Sequence, residues 1–174
     1  MDRRHYEFEG SEPDVHGNAH VSRESTLVGD VTVESNASVW PGAVLRGDVS
    51  PVHVGRGSHV TDNVTIHGST IGERVLVANG AVLNDAEVGD DALVGFNATL
   101  NEVSVGDHSI VASGAVTLQG STVPPRSFVY GSPATVKPLD ETGFDVEGLY
   151  ERYSTGEYSN LAARHGDLFG DDGE

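Results

Sequence analysis

Three short stretches hold the side chains best able to do chemistry. Arg46-Gly47-Asp48 sets a guanidinium beside a carboxylate. Such a pair can grip a bound anion or simply hold each other across an interface. Thr61-Asp62-Asn63 comes next, followed by His67. An imidazole there can serve as a metal ligand or a general base. It serves equally well as a turn residue or an interface hydrogen-bonder. Asn79 and Asn84 lie beyond, and both also suit tight turns in their own right. The remaining histidines, His5, His16, His20, His53, His59, His108 and His165, show no metal spacing among themselves. Cysteine is absent, which excludes a disulfide framework and a thiolate metal site.

The elements that must position these residues are legible in rows of seventeen. Val54 opens VGRGSHVTDNVTIHGST, Ile71 opens IGERVLVANGAVLNDAE, and Val88 opens VGDDALVGFNATLNEVS. A fourth row from Val105, VGDHSIVASGAVTLQGST, is one residue longer. Within rows, aliphatic residues recur every six: Val54, Val60, Ile66; Ile71, Val77, Leu83; Val88, Val94, Leu100. A period of six matches neither an α-helix nor simple strand alternation. It is the signature of a hexapeptide β-helix, in which three short strands and three turns close one triangular coil. The pattern starts at Val15 and runs through Val21, Leu27, Val33, Val39 and Leu45. A nine-residue gap before Val54 predicts a small bulge around Ser50-Pro51-Val52. The fold class expected is all-β, a parallel β-helix of about seven coils. Residues 1–14 form an N-terminal arm, 15–139 the β-helix, 140–169 C-terminal helices packing on it, and 170–174 an acidic tail.

The coil register places the chemical residues in space. Positions 67 and 84 are seventeen apart, so they stack on adjacent coils about 4.8 Å apart. Position 79 stacks on Asp62 at a different corner. A side chain there meets the 67/84 pair only from a neighbouring subunit. Tyr130 is a pocket candidate by position. Past Leu139 the period changes. Val146, Leu149, Tyr150 and Tyr153, then Tyr158, Leu161, Ala162 and His165, fall at helical spacing around a break at Ser154-Thr155-Gly156. Their apolar stripes must cover the outside of the prism or a second subunit.

The run VWPGAVLRGDVSPVHVGRGSHVTDNVTIHG and the closing VPPRSFVYGSPATVKPL resemble the γ-class carbonic anhydrase family of hexapeptide-repeat proteins. The resemblance covers roughly residues 15–139. It implies a left-handed β-helix and a homotrimer with active sites at subunit boundaries, each holding zinc or iron on three histidines. One histidine matches His67. The other two fall on Asn79 and Asn84, so two imidazoles are replaced by amides. Arg46 and Asp48 match the pair that lines the family's pocket across the boundary, with a small anion such as bicarbonate as the ligand implied near Arg46. Asp62 matches a further pocket residue, Thr61 stands where the family has glutamine, and the acidic loop of some members has no counterpart.

A catalytic zinc needs three imidazole, thiolate or carboxylate ligands plus water. Neutral carboxamides substitute poorly. The expectation is therefore a degraded metal site with no cofactor, in a non-catalytic or weakly active family member. Two alternatives stay open. One is a working carbonic anhydrase with an unusual ligand set, retaining zinc or iron. The other is an acyltransferase of the wider hexapeptide class with His67 as general base.

The composition bounds the partners. Asp and Glu number 27 against 10 Lys and Arg, a net charge of −17, with Lys137 the only lysine. That field repels nucleic acid and anionic membranes. No apolar run reaches membrane length and no signal-peptide core is present, so a cytoplasmic location is the default expectation. Acids spread along an ordered repeat suggest adaptation to high salt. Near 1 M salt the reach of self-repulsion shrinks to about 3 Å. Melting temperature is accordingly expected to rise across a sodium chloride series. A flat or falling series would argue against halophilic adaptation.

Overall fold

The computed structural model describes residues 4–152 and 157–169. Strands of two or three residues recur on three faces: His59–Val60, Thr65–His67 and Thr70–Ile71 in one coil, then Leu76–Val77, Val82–Asn84 and Glu87–Val88 in the next. Each pairs in parallel with its counterpart one coil away, Val77 with Val60, Leu83 with Ile66 and Val88 with Ile71. The chain winds as a left-handed parallel β-helix of about seven coils.

The six-residue recurrence is the inner wall of this prism. Val54, Val60, Ile66, Ile71, Val77 and Leu83 are all fully buried and stack on one another between coils. Burial of one such side chain is worth about 1.5–3 kcal/mol. A second inward position in each coil is smaller, as in Val64, Ala81, Ala98 and Ala115, because it sits at a corner where the walls converge. The corners need left-handed backbone. One corner column runs Gly42, Asn63, Gly80, Asn97 and Gly114, every member at positive φ. Glycine and asparagine tolerate that region best. They alternate because each Asn side chain lies where a Cβ on the glycine of the preceding coil would be.

The bulge is present and slightly earlier than its sequence position suggests. Strand Val44–Val54 pairs with Thr26–Val33 up to Gly29 opposite Gly47, and resumes at Val31 opposite Val52. Residue 30 thus faces residues 48–51, and Val52 is already back in register and buried. Val49, at the tip, is 91% exposed.

The ends of the ladder are covered. Arg4–Tyr6 adds a parallel strand to Thr26–Val28. Ser127–Tyr130 and Thr135–Pro138 form an antiparallel pair that closes the other end. Helix α1 (Val146–Tyr150) is capped by Asp145, whose carboxylate accepts from the Gly148 N–H at 3.0 Å. It lays Val146, Leu149 and Tyr150 on the outward column Leu76, Leu93 and Ile110. Helices α2 (Glu157–Arg164) and α3 (Gly166–Phe169) bring Leu161, Ala162 and Phe169 onto Trp40. The C-terminal stripes therefore cover the outside of the prism. Tyr153, the Tyr158 side chain, the Ser154–Gly156 break and the acidic tail fall outside the described residues. Among the described residues no helix is long and apolar enough to cross a membrane.

Under that cover sits a buried polar pair that spacing did not reveal. His59 occupies the same outward column as Leu76, opposite Ser38 on its other side. Its Nδ1 lies 2.7 Å from Ser38 Oγ, which also accepts from Trp40 Nε1 at 2.8 Å. Burial, with a smaller contribution from His20, pushes the His59 imidazole from 6.5 down to about 4. Between those values the unfolded chain takes up a proton that the folded chain refuses. Stability therefore falls as pH drops from about 6.5 toward 4. At 1.36 kcal/mol per unit the linkage approaches ~3 kcal/mol. Replacing His59 by Leu, the residue one coil on at position 76, is expected to flatten this part of the acid limb in a stability–pH curve. An unchanged limb would show that His59 does not set it.

Candidate functional site

Strand alternation decides which residues can meet a ligand. Leu45, Ile66, Leu83 and Leu100 point inward and are fully buried. Their C-terminal neighbours Arg46, His67, Asn84 and Asn101 therefore point outward, and the register aligns them in one column. The parallel column on the same face is Val44, Thr65, Val82 and Thr99. The stacking of position 84 on position 67 is thus as the seventeen-residue spacing requires.

The first column opens into a cavity of about 260 Å³. Its floor is His67 and Asn84, and its lip is the bulged segment Asp48, Val49 and Ser50. Arg46 and Asp48 pair with each other across the lip: Asp48 Oδ2 accepts from Arg46 Nε at 3.1 Å and lies 3.0 Å from the terminal guanidinium nitrogen. The His67 ring makes no hydrogen bond among the described residues. Asp85 closes the third side, its carboxylate lying over Gly68, where a Cβ would come within 2.6 Å of it.

The two asparagines are held in place by hydrogen bonds. Asn84 Nδ2 donates to Asn101 Oδ1 at 2.9 Å and to Asp85 Oδ2 at 3.2 Å. Asn79 Oδ1 accepts from Thr61 Oγ1 at 2.6 Å. Neither is the turn residue itself. The left-handed positions belong to Gly80 and Asp85, one residue further on in each case. Asn84 instead ends a strand, and Asn79 is exposed at the corner.

Within one chain, Arg46, Asp48, His67 and Asn84 are brought together, while Asn79, Thr61 and Asp62 sit at the neighbouring corner. Gly80 N donates to the Asp62 carbonyl, which sets position 79 one coil from Asp62. Tyr130 lies elsewhere. Its ring stacks on Phe128 at 5.3 Å, and Lys137 Nζ reaches 5.5 Å from its centre. Sequence reasoning missed Asp85 as a wall and the insertion as a lip. The signal for both was present, since position 85 is seventeen on from Gly68 and the nine-residue interval from Leu45 to Val54 contains Arg46-Gly47-Asp48.

A larger groove of about 620 Å³ lies between α1 and the corner column Asp91, His108 and Arg126. Several of its charges are already matched. Arg74 donates to both Asp91 oxygens at 2.8 Å, and Arg126 donates to Asp140 at 3.1 Å. It reads as a brace between the helix and the coils.

No family model matches the chain. Individual relatives do. Carnitine operon protein CaiE of Citrobacter koseri is 36% identical over 166 residues, covering 92% of this chain and 83% of that protein. Gamma carbonic anhydrase 1, mitochondrial, of Arabidopsis thaliana is 35% identical over 166 residues, covering 88% of this chain. The chain spans 59% of the length of that plant relative. Among solved structures, a hexapeptide transferase family protein from Anaplasma phagocytophilum superposes with a TM-score of 0.83 at 26% identity, over 95% of this chain and 99% of that one. A putative acetyltransferase from Bacillus cereus gives 0.82 at 26% identity, over 94% and 97%. With the hexad ladder, the Arg46-Gly47-Asp48 run and the outward His67 column, these likenesses establish that the chain belongs to the γ-class carbonic anhydrase family of hexapeptide-repeat proteins.

Proposed function

We propose that this chain is a homotrimeric γ-carbonic anhydrase-like protein whose metal site is degraded, and that it acts as a binding protein with little or no CO2 hydration. The observation that carries this reading is the donor set. His67 offers one imidazole. The positions that would complete a three-histidine site are Asn79 and Asn84, whose amides are tied to Thr61 and to Asn101 and Asp85. One imidazole and two engaged carboxamides do not fit zinc, which takes nitrogen, thiolate or carboxylate donors.

The outer face supports the trimer. In a chain of net charge −17, the two outward columns contain no acid at all: Val44, Thr65, Val82 and Thr99 beside Arg46, His67, Asn84 and Asn101. Val82 is 40% exposed, and Phe96, in the Asn79 column, is 55% exposed. Such a face suits a second copy, which would carry its own Asn79 corner toward His67 and Asn84. The likeness to a hexapeptide transferase family protein and a putative acetyltransferase favours one other reading, an acyltransferase with His67 as base. Saturable acetyl-CoA binding would be its mark.

The wild type is expected to bind no stoichiometric zinc. Asn79→His with Asn84→His should bind about one zinc per chain, and either change alone far less, because two imidazoles leave the ion under-coordinated. Any hydratase activity gained should vanish on His67→Ala. Tight zinc and CO2 hydration in the wild type, both abolished by His67→Ala, would establish the working enzyme instead.

Arg46 tests the assembly. In the single chain its pair with Asp48 is exposed and worth at most about 1 kcal/mol. Buried between subunits, loss of one partner costs roughly 3–5 kcal/mol. Sedimentation of Arg46→Ala should show a shift from trimer toward monomer. A trimer of unchanged stability would remove Arg46 from the interface.

A further inference from the structure

The cavity behind the Asp48–Ser50 lip is a built feature of one coil. The extra residues enter between Gly47 and Val52, and they overhang His67 and Asn84. What the cavity presents is mostly hydrogen-bond acceptors. The one cation on its wall, Arg46, is already matched by Asp48 through two contacts to a single oxygen, which leaves Asp48 Oδ1 without that partner. Asn84 is pinned with its nitrogen toward Asn101 and Asp85, both of which present oxygen. A turned-over amide would set its carbonyl against the Asp85 carboxylate, so Oδ1 is the end left for a ligand. Asp85 adds a second, uncompensated charge. Arg46, Asp48 and Asp85 together sum to −1, inside a chain of −17 whose field draws cations and repels anions.

We propose that this cavity binds a small organic cation, an alkylguanidinium or primary ammonium compound. Its N–H groups would donate to Asp85, to Asn84 Oδ1 and to the free oxygen of Asp48. The His67 ring would supply a further acceptor nitrogen or an edge to pack on. A metal cation is less suited to it. Among the described residues no three His, Cys, Asp or Glu side chains converge in one chain. A guanidinium or ammonium needs acceptors and no such convergence. The ligand class runs opposite to the bicarbonate that the family resemblance implies near Arg46. The inference rests on the degraded-site reading, because a zinc ion on His67 would occupy and recharge the same floor.

The test is calorimetric titration of the full chain in about 1 M sodium chloride, where screening confines the general field to about 3 Å. Probes are methylguanidinium chloride, 1,4-diaminobutane dihydrochloride, sodium bicarbonate, sodium acetate, magnesium chloride and calcium chloride. Saturable binding of one of the organic cations, at one site per chain, is expected. Asp85→Asn keeps the left-handed turn and should weaken that binding about tenfold, the loss of one charge-assisted hydrogen bond. Asn84→Asp should tighten it. Asp140→Asn, which removes the same charge at a distant surface pair, should leave it unchanged. Tighter binding of bicarbonate, acetate or either metal ion would overturn the proposal. So would the absence of any cation binding, or equal losses in Asp85→Asn and Asp140→Asn. A zinc-binding wild type would instead remove the degraded-site reading beneath it, and zinc content is measured separately.

Discussion

Everything here depends on coils stacking in register. A single triangular coil of seventeen residues cannot shield its inward aliphatics or pair its strand edges. Each coil is stable only against its neighbours. Parallel pairing of Val60 with Val77 and of Ile66 with Leu83 sets the register, and the buried side chains lock it. A slip by one residue would turn every Val and Leu of the ladder outward. The corners obey the same constraint, since Gly80 and Asn97 must both adopt left-handed backbone, and the asparagine side chain uses the space that the glycine leaves.

Register also turns sequence distance into spatial distance. Residues seventeen apart become neighbours, so Arg46, His67, Asn84 and Asn101, far apart along the chain, form one straight column. The one place where the period breaks becomes a shape. Extra residues after Gly47 cannot enter the stacked wall without losing its hydrogen bonds, so they leave it outward and form the lip of a cavity. Because the break falls within the Arg46-Gly47-Asp48 run, the guanidinium and carboxylate sit at the rim.

Much of this was legible in the sequence, for a physical reason. The inward positions tolerate little besides aliphatic side chains, so Val54 through Leu100 print their period plainly. The stacking of positions 67 and 84 followed from it directly. What was illegible involves residues whose environment comes from outside the repeat. Nothing in its spacing marks His59 as buried. It is buried because it shares an outward column with Leu76 and lies near Trp40, whose outer side carries Ala162 and Phe169 of the C-terminal helices. Likewise Asn84 reads as a turn former by composition. Only the neighbouring coil shows its amide committed to Asn101 and the left-handed turn passed to Asp85.

The separation of inner wall from outer column lets outward residues vary while the fold persists. His67 and Asn84 alternate with Ile66 and Leu83, and only the latter pair contributes to the core. Exchanging an outward imidazole for an amide changes no inward contact and leaves the coil period untouched. The outer column has an order of its own, with Asn84 donating to Asn101. With the amide committed downward, its nitrogen is spent on Asn101 and Asp85. On this scaffold the fold is set by what points in, and the ligand by what points out.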